Sequence, residues 1–319
     1  FPAVRALLFE SAGRTGYCRP KLPAAEIKGA IFGHAEFTAF NTSITKLFVK
    51  WRTATAPRLR AIKPGDRPKV LVETLAEDLL ETFQAARLLD PYDVYQHLMD
   101  YWAGTMQDDV YMIVADGWKA VLDGKPNTDL IPQPLVVTKY FAKEQAAIER
   151  LEADRDAITR QMEELDEEHG GEDGLLADAK TDKGRLTKVS GKARLVEIKG
   201  DKDADDERKL LDEYQALIET EGAAGKQVKD AQKALDAQVA AKYSKLTQDE
   251  IKALVVDDKW LTALAIAVQG ELDRVSQALT GRIRQLAERY ANPLPQVVSR
   301  VTELEAKVRG HLKEMGFEP

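Results

Sequence analysis

Cysteine is all but missing. Cys18 is the only one in 319 residues, which excludes a disulfide within the chain and fits a reducing, cytoplasmic compartment. Histidine is scarce too, and His34, His97, His169 and His311 share no metal-ligand spacing. No apolar run approaches the roughly 20 residues that span a bilayer, so no membrane segment is expected. The opening FPAVRALLFE lacks a small-residue cleavage site, so no signal peptide is expected. It starts on Phe1 rather than Met, as a fragment or processed chain would.

What is present is apolar and charged in nearly equal measure. Hydrophobic residues make up 44% and charged residues 31%, enough for a core of about two domains under a highly charged surface. The net charge of −7 is unevenly spread, with residues 1–69 strongly basic and residues 70–135 strongly acidic. A basic block can face phosphate, because Lys and Arg near nucleic acid release counterions. It can equally be solvated or paired within the chain, and the acidic block is a ready partner. No basic stripe marks the remainder, which argues against broad DNA wrapping by its helices.

Residues 1–134 read as a small α+β segment. The first 69 are irregular, with a helix or two between Ile27 and Phe48 and a turn at Ala61–Asp66. Leu71, Leu75, Leu79 and Phe83 recur at helical spacing. Asp90-Pro91 stops that helix and starts another, with Pro at its first position. Val110–Val114 is the best strand candidate, and Asp116-Gly117 and Asp123–Pro126 read as turns. Ile131-Pro-Gln-Pro134 reads as an extended connector and domain boundary.

Residues 135–319 read as a helical domain with a long coiled-coil-like hairpin near 140–240. Phe141, Ile148, Leu151, Ile158, Met162 and Leu165 follow a heptad pattern that predicts one helix over 140–165, ended by Gly170, Gly171 and Gly174. Leu186, Val189, Ala193 and Val196 form a weaker seam, Gly200–Asp203 a polar hinge, and helices are expected from Leu210 and again around Val228. Thr247-x-x-Glu250 is a capping box. A stripe runs from Leu261 to Leu286, Asn292-Pro293 breaks it, and Val297, Val301, Leu304, Val308 and Leu312 mark a last helix. Stripes of this kind need a cover, either the rest of the chain or a partner's helices.

Candidate chemistry is sparse. Val196-Glu197-Ile198-Lys199 alternates like a strand and carries the Glu-x-Lys of metal-dependent nucleases. With Asp178 or Asp182, Glu197 would hold Mg²⁺ and Lys199 would steady the attacking water. Asp108, Asp109 and Asp116 are either hard-cation ligands or turn and cap residues. His97 sits among Tyr92, Tyr95, Tyr101 and Trp102, as a packed histidine or part of a base-stacking platform. Trp118 and Trp260 are expected as core or interface anchors.

A series of longer stretches, in order along nearly the whole chain, resembles one family. They are Ala30-Ile-Phe-Gly-His-Ala-Glu-Phe-Thr-Ala-Phe-Asn41, Asp90-Pro-Tyr-Asp-Val-Tyr-Gln-His-Leu-Met-Asp-Tyr-Trp102, Gln107-Asp-Asp-Val-Tyr111, and Tyr140-Phe-Ala-Lys-Glu-Gln-Ala-Ala147. Glu167-Glu-His-Gly-Gly171, Ile198-Lys-Gly-Asp-Lys-Asp203, Leu254-Val-Val-Asp-Asp-Lys-Trp260, Leu286-Ala-Glu-Arg-Tyr290 and Val301-Thr-Glu-Leu-Glu-Ala-Lys-Val308 follow. Together they resemble the C-terminal part of the modification subunit of type I restriction–modification systems. The resemblance implies a parent protein that methylates adenine N6 with S-adenosylmethionine. It also implies assembly with a DNA-reading specificity subunit and a restriction subunit, and contact with DNA through the complex. The family's Gly-rich cofactor loop and its Asn-Pro-Pro-Phe/Tyr turn are missing here: the only Asn-Pro, Asn292-Pro293, is followed by Leu294, and Phe32-Gly33 by His34. The chain is therefore expected to hold no catalytic, cofactor or metal residue. It is expected to dock the methyltransferase onto the specificity subunit through Val297, Val301, Leu304, Val308 and Leu312. The alternatives are a free-standing coiled-coil interaction protein and a nuclease built on Glu197 and Lys199.

Overall fold

The structure, a computed structural model, describes residues 1–11, 18–201, 203–290 and 294–317. It is mainly α, with two small antiparallel hairpins among the described residues. The chain forms two compact units, Phe1–Gly117 with Val256–Pro319, and Trp118–Val255. The break does not fall at residue 134. Ile131 is fully buried and its carbonyl accepts the Tyr243 hydroxyl at 2.5 Å, so the Pro-bracketed connector is core of the second unit. The C-terminal segment, moreover, returns to the first.

In the first unit, α1 (Pro2–Leu8) leads into a hairpin of β1 (Phe9–Ser11) and β2 (Cys18–Pro20), then α2 (Ile27–Phe32) and α3 (Ala35–Arg60). The helix or two expected between Ile27 and Phe48 are α2 and α3, but α3 runs on to Arg60 and α1 adds a helix at the start, so less of the stretch is irregular than expected. In α3, Phe37, Phe40, Ile44, Phe48, Trp51, Thr55 and Leu59 recur every three or four residues and are all buried, a stripe that outweighs scattered Gly and Pro. His34 caps α3, its Nδ1 accepting the Glu36 N–H at 3.1 Å. Pro68 opens α4 (Pro68–Phe83) and Pro91 opens α5 (Pro91–Tyr101), where a missing N–H costs nothing. The Asp90 side chain caps α5 by accepting the Tyr92 N–H at 2.9 Å.

Val110–Val114 is helix, not strand. It lies in α6 (Gln107–Asp116), which continues from α5 through one wide π-helical turn, Trp102–Met106. Met106, Val110 and Ile113 face inward at helical spacing, and Asp109 is buried beside them. A five-residue apolar run is too short for periodicity to decide between the two structures. From the far end of the sequence, α12 (Thr262–Arg289) packs against α2, α3 and α5, and α13 (Leu294–Glu314) follows. The break expected at Asn292-Pro293 lies outside the described residues.

The second unit opens with β3 (Val121–Leu122) and β4 (Lys125–Pro126), joined by Asp123 and Gly124, both at positive φ as a two-residue hairpin turn demands. The helix expected over 140–165 is α8 (Ala142–His169), which runs to a Gly170 cap, and a shorter helix, α7 (Gln133–Tyr140), precedes it and stops at Phe141. The helices expected from Leu210 and around Val228 are one, α10 (Asp205–Tyr243), 39 residues long. Asp166 lies within electrostatic reach of Tyr214, and Glu221 of Arg155, so α8 and α10 run antiparallel as a hairpin. Ile148, Leu211, Tyr214, Val228, Leu235 and Val239 are buried along its seam. The turn of the hairpin closes over a small core of Leu176, Ala179, Leu186, Ile198, Leu211 and Tyr214. The seam expected through Val189 and Val196 is not buried: both point to solvent from α9 (Lys188–Glu197). Thr247 and Glu250 form the expected capping box at α11 (Gln248–Lys252), which leads into a second π-helical stretch, Ala253–Leu261.

Candidate interaction surface

Helix α13 is amphipathic, and most of its apolar face is exposed among the described residues. Val297, Val301, Leu304 and Val308 are 43%, 57%, 52% and 56% exposed, Leu312 is half-buried, and Leu294 and Val298 extend the patch. Residues three and four apart share a face, so all five side chains that the sequence singles out lie along one side of a single helix. Contiguous exposed apolar side chains rimmed by charge mark an interaction surface more often than scattered ones do. The rim here is Arg300, Glu303, Glu305, Lys307 and Arg309, with Arg309 and Glu305 paired at 2.8 Å.

The first unit also contains a buried polar knot. Asp109, in the first turn of α6, is 4% exposed. Its carboxylate accepts from Lys259 Nζ at 2.7 Å and from Trp260 Nε1 at 2.7 Å. Burial pushes the Asp109 carboxyl up, and hydrogen bonds from Lys259 and Trp260 pull it back part of the way. The Tyr101 hydroxyl donates to the Lys259 carbonyl at 3.4 Å, and burial with the Asp109 charge holds that phenol well above its usual range. Asp109 is therefore neither a cation ligand nor a turn residue. It ties α6 to the π-helical stretch before α12, 150 residues away in sequence. Asp109 of the stretch Gln107–Tyr111 meets Lys259 and Trp260 here, and only the fold reveals that they do.

The other candidates resolve differently. Glu197 ends α9 and Ile198 follows as its cap, so Val196–Lys199 is not a strand. Glu197 and Asp178 do converge, but on the Arg194 guanidinium, at 3.4 and 3.0 Å. Glu207 holds the same group at 2.7 Å and is the main cause of its raised pKa. A cation already occupies the place between the carboxylates, and no cluster of metal-ligating side chains exists among the described residues. His97 lies 3.3 Å from Glu271 of α12, which also binds Arg274. Trp260 is fully buried and Trp118 nearly so, as core anchors.

The basic block is partly neutralised within the first unit. Arg58 pairs with Asp78 of the acidic block, and Arg52 and Arg60 pair with Asp257. The glycine cluster after α8 does not cradle an anionic cofactor. A Cβ on Gly170 would come within 2.4 Å of the Asp166 carbonyl, and one on Gly174 within 2.1 Å of the His169 carbonyl, so close backbone packing accounts for both residues. The described sheets are hairpins only. No helix among the described residues is long and apolar enough to cross a membrane. No protein-family model, characterised protein or solved structure matches the chain.

Proposed function

We propose that this chain is a subunit-docking region of a cytoplasmic type I restriction–modification methyltransferase, acting through the apolar face of α13. The observation that carries the docking role is that face: four exposed apolar side chains, Val297, Val301, Leu304 and Val308, and a half-buried fifth, Leu312, on one helix. The family rests on the series of stretches that resemble modification subunits. In this reading the methyl-transfer site and its S-adenosylmethionine lie in a part of the protein outside this sequence. The specificity subunit packs its helices on α13, and the restriction subunit and DNA are reached through the complex.

Buried apolar surface contributes about 25 cal/mol per Å², so a few such side chains supply several kcal/mol of association energy. A charge set in the centre of that face loses its water without gaining a partner. Leu304→Asp is therefore expected to abolish capture by the specificity subunit in a pull-down, while Glu303→Ala on the rim leaves it nearly unchanged. Because Leu304 is 52% exposed, the variant's circular dichroism should match the parent's. A folded Leu304→Asp chain that binds at full affinity would show that this face is not the contact.

A further inference from the structure

We propose that the chain by itself covers α13 with a second copy of α13, as a parallel two-stranded coiled coil. Leu294, Val297, Val301, Leu304 and Val308 step by three and four residues without a slip, and all are exposed. That is a heptad seam with Leu294, Val301 and Val308 at a and Val297 and Leu304 at d. Val301 and Val308 at a on either side of Leu304 at d form the pattern that favours two parallel strands, although Leu294 and Val297 at the start of the seam reverse it.

Charge selects the partner and its direction. Arg300 and Lys307 flank one side of the seam at g, and Glu305 flanks the other at e. In a parallel pair of identical helices, each g residue faces the e residue of the next heptad across the seam. Arg300 of each copy then meets Glu305 of the other, twice by symmetry. An antiparallel pair that sets Val301 against Leu304 brings Arg300 against Lys307 instead, like charge against like. A second copy in parallel thus satisfies both the seam and its flanks. Under the docking role proposed above, the specificity subunit would have to open or join this pair. The pairing itself does not depend on that role.

Sedimentation equilibrium of the whole chain, with no other subunit present, tests the idea. A reversible dimer is expected at concentrations up to about 100 μM. Leu304→Asp should raise its dissociation constant by about a hundredfold with the helical dichroism unchanged. Arg300→Glu and Glu305→Arg should each weaken it by about tenfold, since each puts two like-charge pairs across the seam. Mixing those two variants should restore the dimer, because every cross-pair is then opposite in sign. A chain that stays monomeric throughout, or a dimer indifferent to Leu304→Asp, overturns the proposal. A mixture no tighter than its components overturns the parallel pairing. A specificity-subunit pull-down is read separately, so failure of either idea leaves the other standing.

Discussion

Asp109 holds its charge almost wholly out of water, and its two partners come from a stretch 150 residues later. A buried ion pair is expensive to form and more expensive to break, because the surviving charge has no solvent. Asp109→Ala should therefore cost about 3–5 kcal/mol in urea unfolding, and Asp109→Leu combined with Lys259→Met should recover a large part of that loss. If the single and double replacements cost the same, the pair is not what joins these elements. Glu250 shows the opposite balance. The Thr247 backbone N–H first, then the Lys242 ammonium and the hydroxyls of Thr247 and Tyr140, hold its carboxyl at about 2, below the ordinary 4.5. A depressed folded value stabilises the native state above the unfolded value, and the benefit disappears as pH falls from there through the folded one. The second unit should lose stability as pH drops from 4.5 toward about 2, and Glu250→Gln should flatten that slope in urea midpoints taken across the window.

At the level of elements, burial separates seams that look alike on paper. Leu211 is fully buried between α10 and the turn of the hairpin, whereas Val189 and Val196 on α9 are 79% and 72% exposed. Leu211→Ala should cost about 2–4 kcal/mol, and Val189→Ala and Val196→Ala should each stay within about 0.5 kcal/mol, by chemical denaturation. Heptad spacing, Pro at first helical positions and the Thr247 box were legible because each is a local signal, set within one or two turns of chain. The run Val110–Val114 was not, since its five residues suit a buried strand or a buried helix equally and only Met106 and Asp109 beside it decide. The continuity of α10 was not legible: its interior holds Gly222 and Gly225, poor helix formers, and antiparallel packing on α8 supports the helix across them. On the candidate surface, the Val297–Leu312 stripe was legible from spacing. Its freedom from cover, and the meeting of Asp109 with Lys259 and Trp260, depend on tertiary placement that no local pattern encodes.

For the whole molecule, the decisive fact is that the first unit is built from both ends of the sequence. Its helices α2, α3 and α5 find their cover in α12, while α13 covers nothing in the described remainder of the chain. A chain ended after residue 293 should melt within about 2 °C of the parent, followed by circular dichroism. A chain ended after residue 255 should lose the cooperative transition of the first unit, because Leu264, Val268 and Leu272 leave its core with α12. An unchanged melt for the shorter chain would mean that α12 is dispensable. The same arrangement imposes a timetable on synthesis. Residues 1–117 leave the ribosome first, and the apolar faces that await α12 stay open while Trp118 to Val255 are made. At roughly 5–20 residues per second that interval is on the order of ten seconds, long compared with the microseconds of hydrophobic collapse. The nascent first unit is therefore a natural client for chaperones that shield unfinished cores, and codons that slow translation before Thr262 would lengthen its exposure.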